Sequence, residues 1–454
     1  GPIAKSIDGA VYVSGRIGTD NAIFRSDDFG ESWERLSDLP TTSNRWVTDL
    51  VCSSIDPDMI YVTNGIDIWR TTNAGHTWSI LPNMFASLGL EPGLDEDGVI
   101  TSIDVGYIEE NPYVFAATST FGSGRGDVYM LEEAVFGIPW SSLEIDTDRE
   151  EEWEDGAADV YTVAVDPSFE STGMIIAIAT NITDGPSTYI TTRKSSELWD
   201  KSGSHISLEL DDVPIRQPLR ADIWLPWDFD VTDEYVLPLY YASIVSLDPA
   251  GGDVFRVLHS EYAEDLDVGF GTSPSITDID GIGTTSVTVL LAGGDDGTGE
   301  PIVFRSTNSG MTWAVSSDPP GGDVWAHVAR VSLVLHDEFD SNGSALAATG
   351  GFDTGISYTE DGGMTWYHKP VIHSDLKIEF SEPMDRHTTA EAIIIYPEID
   401  YDIFWENDDT LMTIRPLSPW KRSTTYEITV SKDARSRGGE YLEDDYGFTY
   451  TTSS

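Results

Sequence analysis

Cysteine, basic residues and long apolar runs are all scarce in this chain. One cysteine, Cys52, rules out an internal disulfide, so packing and hydrogen bonds must hold the fold. It lies within Leu50-Val51-Cys52 and reads as a small core residue rather than a reactive thiol. Lys and Arg number 25 against 79 Asp and Glu, a formal net charge of −54. Such a surface repels nucleic acid and anionic lipid, which argues against both as partners. It suits a medium whose salt or divalent cations screen the self-repulsion. No stretch approaches the ~18 continuous apolar residues of a spanning helix, so no membrane span is predicted. No His/Cys spacing suits zinc. The first residues, Gly1-Pro2, fit a cleavage scar or a cut site in a longer chain.

What the chain does have is one eight-residue phrase, repeated. Ser26-Asp27-Asp28-Phe29-Gly30-Glu31-Ser32-Trp33 has the form S/T-x-D/N-x-G-x-S/T-W. It recurs from Thr71 to Trp78 with Asn73 and Gly75, and from Ser306 to Trp313 with Asn308 and Gly310. A further copy runs from Thr359 to Trp366 with Asp361 and Gly363. Each copy follows an apolar run such as Ile302-Val303-Phe304, as a hairpin turn should. The Asp or Asn bonds the turn's own backbone, Gly supplies a positive φ, and Trp carries a large apolar surface inward.

The segments between these boxes share one grammar of short strands and turns. Val47–Val51, Met59–Thr63 and Ile66–Arg70 lead into the second box. Ile100–Val105, Tyr113–Ala117 and Val128–Met130 lead to an eroded turn at Trp140. Tyr161–Val165, Met174–Ala179 and Tyr189–Thr191 lead to another, at Trp199. Ala221–Leu225, Leu239–Ser243 and Val254–Val257 form a fifth unit with no Trp. Pro274–Ile279 and Ser286–Ala292 precede the box at Ser306, and Val328–Leu335, Ala345–Thr349 and Gly355–Tyr358 precede the last. At the front, Ala10–Val13 and Ala22–Arg25 supply two strands of a first unit, whose innermost strand is either Ile3–Ile7 or absent. The box tryptophans recur about every 45 to 62 residues, with one box lost, a period that marks β-propeller blades. The chain is therefore read as all-β, a seven-bladed β-propeller over residues 1–370. Alternating short strands after Lys369-Pro370 predict a small Ig-like β-sandwich over residues 371–454.

The boxes resemble the Asp-box, or BNR, repeat family, which includes sialidases, xyloglucan-active glycosidases and sortilin-type receptors. The tail is similar to bacterial Ig-like domains opening on F-S-x-P-M-D, here Phe380-Ser381-Glu382-Pro383-Met384-Asp385. The first resemblance implies a propeller whose boxes are structural and lie away from the enzymes' catalytic face. The second implies an extracellular spacer. Together they imply a location outside the cell or on its surface.

The chemistry is harder to localise. The sialidase signature F/Y-R-I-P is absent, and arginines such as Arg25, Arg70 and Arg305 stand at strand ends, placed to pair with box acids. A glycosidase needs two carboxylates. Asp49, Asp104, Asp159, Asp222 and Asp278 stand near the starts of inner strands, some of them facing the channel, or else capping strands or lying in solvent. Acidic turns offer hard oxygen ligands for calcium. The candidates are Asp95 and Asp97, with Asp104 following, and Asp278 and Asp280; such a fragment is more often a β-turn than a ligand set. The expected function is a non-enzymatic extracellular surface protein, an S-layer or envelope component stabilised by Ca²⁺. It would associate with itself or with other surface proteins and glycans. The alternatives are a secreted glycoside hydrolase or lyase, and a surface receptor for glycan or peptide.

Overall fold

The computed structural model describes residues 2–17, 20–39, 45–94, 96–133, 139–149, 153–154, 156–183, 185–194, 197–201, 205–229, 239–258, 262–269, 274–321, 331–350, 355–369, 376–399, 401–416 and 424–451. The chain forms two compact units, the main division falling between Lys369 and Pro370.

In the first unit, the described residues form seven four-stranded antiparallel sheets, each built from four consecutive strands. Blade 1 comprises Ile3–Lys5, Val11–Ile17, Asp20–Ser26 and Glu34–Arg35; blade 2 comprises Asp49–Cys52, Met59–Thr63, Ile68–Thr72 and Ser79–Ile80. Blade 3 comprises Val99–Ile108, Asn111–Ser119, Val128–Glu132 and Ser141–Ser142; blade 4 comprises Ala158–Val165, Met174–Asn181, Ser187–Lys194 and His205–Ser207. Blade 5 comprises Pro218–Trp224, Leu239–Leu247, Ala250–Leu258 and Tyr262–Asp265. Blade 6 comprises Ser275–Thr284, Val287–Asp295, Pro301–Ser306 and Ala314–Val315; blade 7 comprises Val331–Leu335, Ala345–Thr349, Gly355–Thr359 and Tyr367–Lys369. The short inner strand of blade 1 is thus present. Its Lys5 Nζ donates to the Leu335 carbonyl of blade 7 at 2.6 Å, joining the first blade to the last.

The core lies between blades. Tyr161, Ile176 and Ile190 of blade 4 pack with Tyr240, Ile244 and Phe255 of blade 5. Ala10, Tyr12 and Ile23 of blade 1 pack in the same way with Ile60, Val62 and Trp69 of blade 2. A sheet with blades on both sides must be apolar on both faces. The inner strand Ala158–Val165 is accordingly buried along its whole length, its polar Asp159 and Thr162 included.

The boxes form the turn between third and fourth strands. In blade 1, Ser26 Oγ accepts the Gly30 amide at 2.7 Å and donates to Asp28 at 2.8 Å. Thr71, Ser306 and Thr359 accept the amides of Gly75, Gly310 and Gly363 at 2.9, 2.9 and 3.1 Å. The box glycines do more than reach positive φ. A Cβ on Gly75 would collide with Leu36, on Gly310 with Leu266 and on Gly363 with Leu291. Each leucine arrives from the preceding blade or the segment leaving it, so the glycine makes room for the joint. Trp33, Trp78 and Trp366 are buried; Trp313 is only half-buried. Arg25 pairs with the box residue Asp27 at 2.7 Å, whereas Arg70 pairs with Glu133 of blade 3.

The second unit packs two three-stranded sheets around Ile378, Met412, Ile414, Tyr426 and Ile428. Leu376–Glu379, Leu411–Pro416 and Tyr401–Glu406 form one sheet; Ile393–Tyr396, Thr425–Val430 and Tyr446–Thr451 form the other. The F-S-x-P-M-D phrase has a physical basis here. Met384 is buried in the core, and Asp385 accepts the Thr388 amide at 2.9 Å, capping a short helix, Arg386–Glu391, absent from the strand-only reading.

Candidate functional site

Seven inner strands leave a channel at their common edge, with a cavity of about 620 Å³. All seven blades contribute to its wall, and in blades 5 and 7 the turns after the inner strand contribute too. The carboxylates of Asp49, Asp104, Asp222, Asp278 and Asp280 are its acidic groups along the strands, joined by Asp337, Lys5, His336, Trp224 and Trp227 towards the turns.

These aspartates are tied to the backbone in a repeating way. Asp49 of blade 2 accepts the Ile103 amide of blade 3 at 2.9 Å, and Asp104 of blade 3 accepts the Val165 amide of blade 4 at 2.7 Å. Asp222 accepts Ile279 at 3.3 Å; Asp278 and Asp280 accept Leu333 and Leu335, both at 2.8 Å. Asp49, Asp104, Asp222 and Asp280 also accept the amide of the next residue in their own chain. The carboxylates therefore clasp one blade to the next at the channel wall.

Burial pushes the Asp104 carboxyl up to about 7, against the pull of the Val165 and Val105 amides; the nearby charge of Asp49 adds to the rise. Burial likewise lifts Asp280 to about 6, opposed chiefly by Lys5. Desolvation outweighs two amide bonds in each case, so both carboxyls hold their protons to higher pH than a solvated aspartate does.

Asp159, another inner-strand acid of the sequence reading, belongs elsewhere. It is fully buried and accepts the amides of Thr120, Gly122 and Gly124 at 2.5, 2.7 and 3.2 Å, which folds residues 119–124 around it. The calcium candidates are not gathered in one place. Asp104, Asp278 and Asp280 hold amides in the channel, whereas Asp97 accepts the Glu91 amide at 2.9 Å in a separate turn. Asp95 lies outside the described residues. Among the described residues, no three His, Cys, Asp or Glu side chains are grouped so as to hold a metal ion.

Lys5, Trp224, Trp227, His336 and Asp337 were not singled out by sequence reading. The signal for the tryptophans was Trp224-Leu225-Pro226-Trp227-Asp228, a second Trp placed in a turn immediately after an inner strand. The side of the channel carrying Trp227 and His336 is also the side of the boxes, since Phe29 of the first box meets His336 edge-on at 4.8 Å. The described cavity is therefore walled on the box side.

Residues 369–452 match the family model of the bacterial Ig-like domain, Big_5. That match covers the second unit. No curated protein matches the chain. Among solved structures, YCF48 from Cyanidioschyzon merolae aligns at 16% identity over 78% of this chain and 93% of its own, with a TM-score of 0.46. The GH74 xyloglucanase from Xanthomonas campestris aligns at 13% identity over 99% and 76%, with a TM-score of 0.34. The Penicillium chrysogenum alpha-L-arabinanase complexed with arabinobiose aligns at 12% over 76% and 92%, with a TM-score of 0.37. Likenesses of this degree carry nothing about activity; the propeller architecture stands on the seven sheets themselves. No helix among the described residues is long and apolar enough to cross a membrane.

Proposed function

We propose that this is an extracellular protein whose propeller channel binds a neutral glycan. One observation carries the reading: a cavity of about 620 Å³ in which five aspartates and Trp224 share the wall. Carboxylate oxygens along such a wall suit a ligand rich in hydroxyl donors, and Trp224 supplies an apolar face beside them. The volume lies in the range of roughly 300–1,000 Å³ usual for small-ligand sites. A net charge of −54 disfavours uronic or sialic acids, which points to neutral sugars. The Ig-like unit and the acidity support an extracellular setting. Isothermal titration with neutral and uronic-acid oligosaccharides tests the reading: neutral sugars alone should bind, and silence across the neutral panel removes it.

Hydrolysis is the second reading, favoured by Asp104. Asp104 and Asp49 both line the cavity, and burial raises the Asp104 carboxyl above the ordinary range, the pairing of acid and carboxylate that glycoside hydrolysis uses. Release of reducing ends, lost in Asp104→Asn, would add catalysis to binding; binding without release leaves the propeller a receptor. Calcium at acidic turns and association between copies belong to the same surface-protein proposal. Dialysis against EGTA, followed by melting and light scattering, tests both.

A further inference from the structure

Two tryptophans three residues apart meet opposite fates at the channel. Trp224 closes the inner strand of blade 5 and is packed into the wall. Its ring lies 6.0 Å from that of Tyr241, and Gly281 of blade 6 leaves it room, since a Cβ there would stand 3.1 Å from the indole. Trp227 is 75% exposed.

That exposure does not come from a slack loop. Pro226 before it and Phe229 after it are buried, and the Phe229 amide donates to the Pro226 carbonyl at 3.0 Å, closing a turn around Trp227. The Phe229 ring stands edge-on to Tyr240 at 5.7 Å. Asp228 holds the turn from the other side. Its carboxylate accepts the Thr285 amide at 2.7 Å and the Thr285 hydroxyl at 3.1 Å. Thr285 sits at the hairpin tip between Ser275–Thr284 and Val287–Asp295, so the two blades fix the turn between them.

A large aromatic ring presented to water by a fixed turn beside a cavity of acceptors needs little backbone ordering to bind. We infer that Trp227 is the platform on which a sugar ring of the bound glycan stacks at the channel, and that Asp228 and Thr285 position it. The inference rests on the glycan reading above. Its ligand must combine an apolar ring face with a hydroxylated rim, as a pyranose with equatorial hydroxyls does; the rim then meets the acids and the face meets the indole. A protein partner fits less well, because a stable interface covers about 800 Å² on each side, and Trp227 is flanked by Asp228 and the polar tip Thr284-Thr285-Ser286.

The experiment is titration of the full chain with a β-1,4-linked glucose hexamer, followed by calorimetry. Trp227→Ala should weaken binding about tenfold or more, and Trp227→Phe should recover part of the loss, as removal and restoration of an aromatic contact predict. Melting temperature should stay unchanged in both, since the ring is exposed. Thr285→Val should weaken binding of the wild-type chain about threefold but leave binding by Trp227→Ala unchanged, a non-additivity that a structural role independent of Trp227 would not give. If the wild-type chain binds the hexamer and Trp227→Ala binds it equally well, the platform is wrong and the channel reading survives. If the wild-type chain binds no neutral glycan, both fall.

Discussion

Asp104 accepts the Val165 amide at 2.7 Å across the joint between blades 3 and 4. Its other oxygen accepts Val105 at 2.8 Å, so one side chain satisfies two backbone donors at the channel wall. Asp104→Ala should therefore leave both amides without a protein acceptor and cost about 1–3 kcal/mol for each that water fails to reach. Asp104→Asn keeps one acceptor oxygen and should cost less. Urea unfolding followed by tryptophan fluorescence measures both. Equal stability of Asp104→Ala and the wild type would mean that the clasp is dispensable.

Buried carboxyls also set the response to pH. Asp104 and Asp280 are lifted by burial to about 7 and about 6, and burial raises Asp127, which accepts the Ile145 and Val128 amides, to about 6. Asp253 is raised as well, by burial and by the facing charge of Asp265. Each holds its proton to higher pH in the folded chain than in the unfolded one. Its stabilising contribution is thus full below the unfolded value near 4 and is lost as pH rises through the folded value. The melting temperature should rise as pH falls from 8 to 5. Below that window, Asp361 opposes the trend. Despite some burial, the Thr365 amide and its neighbours hold its carboxyl below the usual range, so its stability is lost in stronger acid. A melting temperature that drops steadily from pH 8 to 5 would contradict this assignment.

The box glycines offer a paired test. Gly75 and Gly9 have φ of 89° and 90°, yet a Cβ meets Leu36 at the first and open space at the second. Gly9→Ala should cost only the backbone penalty, about 1 kcal/mol. Gly75→Ala adds the collision with a leucine from the preceding segment and should cost about 1–3 kcal/mol more. Thermal melts of the two variants compare them directly. Equal costs would reduce the box glycine to a turn residue.

These contrasts show which parts of the molecule were legible in the chain. Asp28, Asn73, Asn308 and Asp361 act within their own turns, and local chemistry of that kind repeats visibly, so the boxes and their period gave the blade count. Blade 5 could be placed without a box because its aromatic and β-branched strands keep the spacing. The contact of Gly75 with Leu36 is tertiary, and no local pattern announces it. Short helical turns such as Phe169–Thr172 and Phe339–Asn342 are too brief for periodicity; only their C-terminal glycines, Gly173 and Gly343, mark them. The channel was the least legible. With 79 acids in the chain, Asp104 and Asp97 look alike until burial separates them. The exposed Trp227 escaped notice because a Trp in sequence reads as core.

Whether a glycan binds in the channel is decided by a crystal structure of the chain with a neutral β-1,4-linked oligosaccharide. Channel binding predicts a sugar ring stacked on Trp227, with hydroxyls inside hydrogen-bond distance of the channel aspartates. Sugar bound only on the Ig-like unit, or only on the face of the propeller away from the boxes, would contradict it.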